Sequence, residues 1–247
     1  MSSQDVIAVA TARMRLTPQF IAEALGLDAA TAETYQHPTP TEPEISDYVL
    51  ETYTRAGDRV LDPMCGTGTI VERALRLGRD AYGRDVVEEY VRLANARIES
   101  ASGLVGRVRL HSALQLRDLE AQFGAQPYTL CFFSPPLLKI GRDPYPRSED
   151  QVGNYEAAEQ VQWLNDVCRV AEGAARLLRE GGYLAIVWRN QRCGDVILAN
   201  VQLGVARLAG GGPYELVDEK LAVFANQGER PAEVVNVFRL RSGRSEG

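Results

Sequence analysis

An apolar run ending in Asp62 passes straight into Pro63-Met64-Cys65-Gly66-Thr67-Gly68-Thr69 and then into an amphipathic stretch. This strand, glycine turn and helix constrain the chain more than any other feature. Such a turn places backbone N–H groups and a helix N-terminus at the C-terminal end of a strand, where α/β sheets take their ligands. Glycines at 66 and 68 let a ligand approach the main chain. Asp85, at the end of the next expected strand, stands where an acid accepts hydrogen bonds from ribose hydroxyls. The GxGxxG spacing of dinucleotide-binding turns is absent, which disfavours nicotinamide and flavin cofactors.

Around this unit the pattern keeps alternating. Residues 5–34 read as one or two short helices, with Thr17-Pro18 as a start signal and Leu25-Gly26-Leu27-Asp28 as a stop and restart. Their outline resembles a helix-turn-helix, but the second helix would offer no basic or amide side chain to read bases, so residues 1–36 are expected to form a helical cap. The prolines of His37-Pro38-Thr39-Pro40-Thr41-Glu42-Pro43 require extended backbone. Further helices are expected over Glu44–Thr54, Thr67–Leu77, Val87–Ser100, Leu114–Phe123 and Glu156–Arg179, the last with Val161, Leu164, Cys168, Ala171, Ala175 and Leu178 on its inner stripe. Expected strands are Arg59–Leu61, Asp80–Gly83 running on to Asp85, Arg107–Leu110, Tyr128–Phe133 and, after a Gly181-Gly182 turn, Tyr183–Trp188. One more helix and strands near 214–224 and 233–240 complete the set. The expected fold class is α/β and Rossmann-like: a seven-stranded, mostly parallel sheet over residues 37–241, with an antiparallel terminal hairpin and a disordered tail at 242–247.

The second informative motif is Phe133-Ser134-Pro135-Pro136-Leu137, delivered by the Tyr128–Phe133 strand. Consecutive prolines remove two backbone donors and stiffen the turn, so what remains is acceptors. Ser134 Oγ and the Pro135 carbonyl can together accept from one NH₂ group. An aromatic amine's lone pair is delocalised into its ring, and two acceptors that favour pyramidal nitrogen localise it toward an electrophile.

Composition bounds the rest. With 247 residues, 45% hydrophobic and 24% charged, the chain can bury one sizeable core. The net charge of −6 argues against a protein coated in positive potential, though a local basic stripe can still track phosphates. Cysteines at 65, 131, 168 and 193 show no CxxC pairing and there are two histidines, so no metal site or disulfide framework is indicated and a reduced, cytoplasmic setting is expected. No apolar run approaches the ~20 residues of a membrane span. Cys65 lacks a nearby histidine to activate it as a nucleophile. His111 reads as structural and Trp188 as core, while Lys139, Arg142 and Arg147 with Tyr145, extended by Arg189 and Arg192, offer a basic rim for a nucleic-acid strand.

On His37-Pro38-Thr39-Pro40, the Asp62–Thr69 turn, Gly83-Arg84-Asp85, Ser134-Pro135-Pro136 and Asp150-Gln151-Val152-Gly153, the chain resembles the amino-methyltransferases that use S-adenosylmethionine to methylate exocyclic amino groups of DNA bases. The resemblance spans roughly residues 36–190. It implies that His37, Thr39, Asp62, Met64, Cys65, Gly66, Thr67, Gly68, Thr69, Ser112 and Phe133 surround the cofactor and Asp85 holds its ribose. Ser134, Pro135, Pro136 and Leu137 would receive the extruded base. A Ser-Pro-Pro motif leans toward cytosine N4 over adenine N6, and the glycine turn is shared with some RNA base methyltransferases, which makes RNA the alternative substrate. A catalytically weak cofactor-binding partner subunit is a further alternative. Two positions depart from the family pattern: Leu137 replaces an aromatic ring that stacks on the base, a contact worth ~1–3 kcal/mol, and Ser112 replaces an acid. The sequence leaves the oligomeric state open, a homodimer included.

Overall fold

The computed structural model describes residues 6–9, 41–116, 127–139, 152, 154–224 and 232–242. The elements in chain order are β1 (Val6–Val9), α1 (Pro43–Tyr53), β2 (Arg59–Asp62), α2 (Thr69–Arg76), β3 (Asp80–Asp85), α3 (Glu88–Ser102), β4 (Val108–Leu110), β5 (Tyr128–Phe133), α4 (Gln160–Ala174), β6 (Leu178–Trp188), β7 (Gln191–Cys193), β8 (Val196–Leu198), α5 (Asn200–Gly210), β9 (Tyr214–Phe224) and β10 (Glu233–Leu240). One sheet runs β1-β9-β10-β6-β5-β2-β3-β4, and β7 and β8 form a separate hairpin. β10 pairs antiparallel with both β6 and β9, while β6, β5, β2, β3 and β4 are mutually parallel. This is the expected α/β architecture with its antiparallel terminal hairpin.

Alternation along the central strands explains why both faces carry helices. On β5, Leu130 and Phe132 join Ile45, Val49, Ile70, Val71, Ala94 and Ile98 under α1, α2 and α3. Cys131 and Phe133 face Trp163, Val167, Cys168, Val201 and Leu208 from α4 and α5. All six β5 residues are buried, the mark of a strand covered on both sides. Among the described residues, no helix is long and apolar enough to cross a membrane.

Four expectations change. Val6–Val9 is a strand parallel to β9 rather than helix, because a β-branched run finds an open sheet edge to pair with; the rest of the expected cap lies outside the described residues, as do most of Leu114–Phe123 and the tail from 243. The helix expected to reach Arg179 stops at Ala174, and β6 already begins at Leu178, so Gly181 with φ of 66° sits inside a strand instead of starting one. Val161 is exposed at 69%, off the buried stripe. The β7–β8 hairpin is an addition to the expected elements, although Gly194-Asp195 before the apolar Val196–Leu198 is a two-residue turn signal and Gly194 adopts φ of 60°.

Candidate active site

The sheet order reverses between β2 and β5: β3 and β4 lie on one side of β2, β5 and β6 on the other. The crevice outside the carboxyl ends of strands at such a switch point is where open α/β sheets bind ligands. The two sequence motifs leave from those strands, the glycine turn from β2 and the proline motif from β5.

The glycine turn is held by its own neighbourhood. Asp62 is buried, and its Oδ1 accepts the Met64 N–H at 3.1 Å. Cys65 N–H donates to the Arg84 carbonyl at 2.8 Å, tying the turn to β3. Asp85 accepts the Gly66 N–H on Oδ2 at 2.8 Å and the Val87 N–H on Oδ1 at 2.9 Å, so it bridges the turn and the start of α3. Burial pushes the Asp62 carboxyl well above the usual range, and the neighbouring Asp85 carboxylate pushes it further; burial raises Asp85 as well, partly offset by the N–H groups of Val87 and Gly66. Two crowded acids at a switch point make a natural seat for a ligand carrying hydroxyls and positive charge.

Packing requires glycine at positions 68 and 83. Gly68 has φ of 83°, and a Cβ there would stand 2.9 Å from Ala94 Cβ of α3. A Cβ on Gly83 would meet Val71 Cγ2 at 2.9 Å and Cys65 Sγ at 3.0 Å. Thr69, the first residue of α2, is buried with its Oγ1 accepting from Arg97, which also binds Glu72. Thr67 is buried too, and Met64 is half-buried against the core beneath α4. Ser112 follows β4 at the same sheet edge, with its Oγ accepting the Leu114 N–H at 3.2 Å. Cys65 is buried, and its thiol is pushed well up by desolvation and by Asp62 and Asp85, which disables it as a nucleophile. His37 and Thr39 lie outside the described residues.

The proline motif leaves β5 with Ser134, Pro136 and Leu137 half-buried and Pro135 buried. Phe133 is fully buried in the core under α4. Tyr155 is half-buried, and its hydroxyl donates to Asp166 Oδ2 at 2.5 Å. Trp188 is core, its indole N–H donating to buried Asn236 at 2.7 Å.

Behind the motif stand side chains that sequence reasoning passed over. Trp163 Nε1–H donates to the Pro136 carbonyl at 2.8 Å. Gln191 accepts the Leu138 N–H and donates to the Leu138 carbonyl, both at 3.1 Å. Trp163 read only as part of a helix and Gln191 as part of a loop, and their partners are 27 and 53 residues away, so no local pattern announced them.

The expected basic rim is largely neutralised where it is described. Lys139 faces Glu156 at 3.7 Å and Arg189 faces Glu233 at 3.8 Å. Arg192 is exposed, while Arg142, Tyr145 and Arg147 lie outside the described residues.

Residues 24–96 match the N6_N4_Mtase model, described as DNA methylase. The type II methyltransferase M2.DpnII of Streptococcus pneumoniae is 37% identical over 65 residues, 26% of this chain and 24% of that protein, so the chain spans about a quarter of that relative's length in the match. A ubiquinone biosynthesis O-methyltransferase of Xanthomonas oryzae is 27% identical over 199 residues, 77% of this chain and 70% of its own length. Among solved structures, TrmN from Thermus thermophilus superposes with a TM-score of 0.54 at 22% identity, covering 81% of this chain and 49% of TrmN. By these likenesses and by its sheet order, the chain has the fold of S-adenosylmethionine-dependent methyltransferases, and over residues 24–96 it is similar to the DNA methylase model.

Proposed function

We propose that this protein transfers a methyl group from S-adenosylmethionine to an exocyclic amino nitrogen of a DNA base, cytosine N4 ahead of adenine N6. The observation that carries the reading is the position of Ser134-Pro135-Pro136 at the end of β5, across the switch point from the Asp62–Thr69 turn and Asp85. The cofactor fits the donor set: two buried acids whose carboxyls resist ionisation next to each other are relieved by a positively charged ligand, and Asp85 keeps acceptor capacity for ribose hydroxyls. When bound, S-adenosylmethionine supplies an electrophilic methyl group on a cationic sulfur.

The protein's part is to hold the amine. Ser134 Oγ and the Pro135 carbonyl accept the two N–H groups, turning the nitrogen lone pair toward the methyl carbon. As nitrogen gains the methyl it becomes cationic, and the same two acceptors stabilise that charge more than they stabilise the neutral amine. The extra proton then leaves to water, so no strong base acts beforehand.

RNA is the second reading, favoured by the backbone likeness to a putative rRNA methylase of Clostridium thermocellum, with a TM-score of 0.54 at 16% identity, and by the glycine turn that some RNA base methyltransferases share. Methyl transfer from labelled S-adenosylmethionine to plasmid DNA, single-stranded DNA and total RNA, with nucleoside mass spectrometry of each product, tests both. N4-methylcytosine or N6-methyladenine in DNA supports the first reading and names the base; label confined to RNA selects the second. Label in neither, with cofactor bound, removes both.

A further inference from the structure

We propose that Trp163 and Gln191 are positioning residues that hold the segment from Ser134 to Leu138 as a preformed receptacle for the target amine; this rests on the amino-nitrogen reading above. Pro135 and Pro136 have no N–H, so the segment can be anchored only through its carbonyls and through the donors that follow the prolines. The structure uses those handles in sequence. Trp163 of α4 takes the Pro136 carbonyl at 2.8 Å, Gln191 of β7 takes both backbone groups of Leu138 at 3.1 Å, and the Lys139 N–H reaches the Tyr155 carbonyl at 2.9 Å. Leu137 is thereby fixed from both sides.

Gln191 is itself held. Asn200, fully buried at the start of α5, donates from Nδ2 to Gln191 Oε1 and to the Arg189 carbonyl, each at 3.3 Å, and accepts from Gln160 Nε2 at 2.7 Å. A partly buried amide chain, with Asn200 at its buried centre, therefore runs from α4 through α5 and the hairpin to Leu138. Such a chain fixes geometry because its buried member, Asn200, is costly to leave unpaired and holds the other two amides in place.

The chemical consequence falls on Pro135. Each residue before a proline is kept extended, and each proline ring fixes its own φ, so few torsions remain free between Ser134 and Pro136. Successive carbonyls of an extended run point in different directions, and drawing the Pro136 carbonyl toward Trp163 leaves the Pro135 carbonyl pointed elsewhere. Among the described residues, no hydrogen bond engages the Pro135 carbonyl or Ser134 Oγ. The clamps thus spend the neighbouring groups and reserve the two acceptors that the amine needs.

The test uses the full chain with Gln191→Leu, Gln191→Glu and Trp163→Phe. Amide hydrogen exchange by NMR is expected to show the Leu138 N–H at least about 10-fold faster in Gln191→Leu, with Cys131 and Phe132 of β5 unchanged. In methyl transfer to DNA, Gln191→Leu and Trp163→Phe are expected to lower kcat by about 10- to 100-fold while KM for DNA and cofactor affinity stay within about two-fold. Gln191→Glu, which keeps an acceptor for the Leu138 N–H, falls between. Unchanged Leu138 exchange overturns the clamp; faster exchange with unchanged kcat overturns its positioning role. A parallel loss of cofactor binding and of β5 protection reduces both residues to general stabilisers, which also overturns it. If the wild type methylates no amino nitrogen, the functional reading falls, and the exchange data still decide the clamp.

Discussion

The two halves of the crevice are built by opposite means. On the β2–β3 side the groups are held by near neighbours: Asp62 by Met64, Asp85 by Val87, and the turn by β3 backbone. On the β5 side the proline motif is held by Trp163 and Gln191, which arrive from α4 and from the hairpin after β6. A seat for a constant cofactor can be encoded in one compact stretch of chain. A receptacle whose occupant must be discriminated is assembled from distant parts, which can change without disturbing the seat.

The largest effect should fall on the β5 side. Ser134→Ala is expected to lower kcat by about 10²- to 10³-fold, the scale for removing one preorganised polar partner of a transition state, and to leave cofactor affinity unchanged. Calorimetric binding beside steady-state rates checks both, and an equal loss of affinity would place Ser134 on the cofactor side.

Next comes the glycine turn. Gly68→Ala combines a left-handed φ with a Cβ at 2.9 Å from Ala94, so about 2–4 kcal/mol of stability should be lost in urea titrations, with cofactor affinity falling alongside. Loss of affinity without loss of stability would mean that the glycine serves the ligand more than the packing.

Asp62→Asn sharpens the electrostatic side. Because the folded-state pKa of Asp62 is raised, the wild type loses stability as pH climbs from the ordinary carboxylate range through that raised value. The amide keeps an acceptor for Met64 and carries no charge. The variant should therefore melt higher than wild type near neutral pH by about 2–4 °C for ~1 kcal/mol, with the gap closing in acid, while cofactor affinity weakens. A gap independent of pH would locate the effect in packing.

The smallest expected effect belongs to the rim. Glu156→Gln removes the partner of Lys139 from a pair whose acid is 65% exposed, so the melting temperature should hardly move. The freed cation should tighten DNA binding modestly and steepen its salt dependence by up to about one counterion. No change in the salt slope would take Lys139 off the nucleic-acid path.

Particular residues show what was legible. β5 and the final two strands stand at their expected residues, because two-sided apolar runs bounded by turns admit few other readings. Asp62 and Asp85 close strands and Ser134 directly follows one, positions that strand patterns and turn signals mark in the sequence. Alternation along β5 sends the Phe133 ring into the core under α4, a placement that the motif alone did not announce. Lys139 and Arg189 looked like free cations because nothing near them in sequence reveals Glu156 or Glu233.

The sequence by itself determined the layered sheet, the order of its elements and the two motifs at its switch point, since these rest on periodicity, turn chemistry and strand ends, all of which are local. Tertiary structure alone decided that Val6–Val9 joins the sheet, that Gly68 and Gly83 are required by neighbouring helices and turns, and that Trp163, Gln191 and Asn200 converge behind the prolines. Those outcomes depend on which distant groups meet once the core closes, and side chains far apart in the chain acquire hydrogen-bonding partners only when packing has removed the water that served them before.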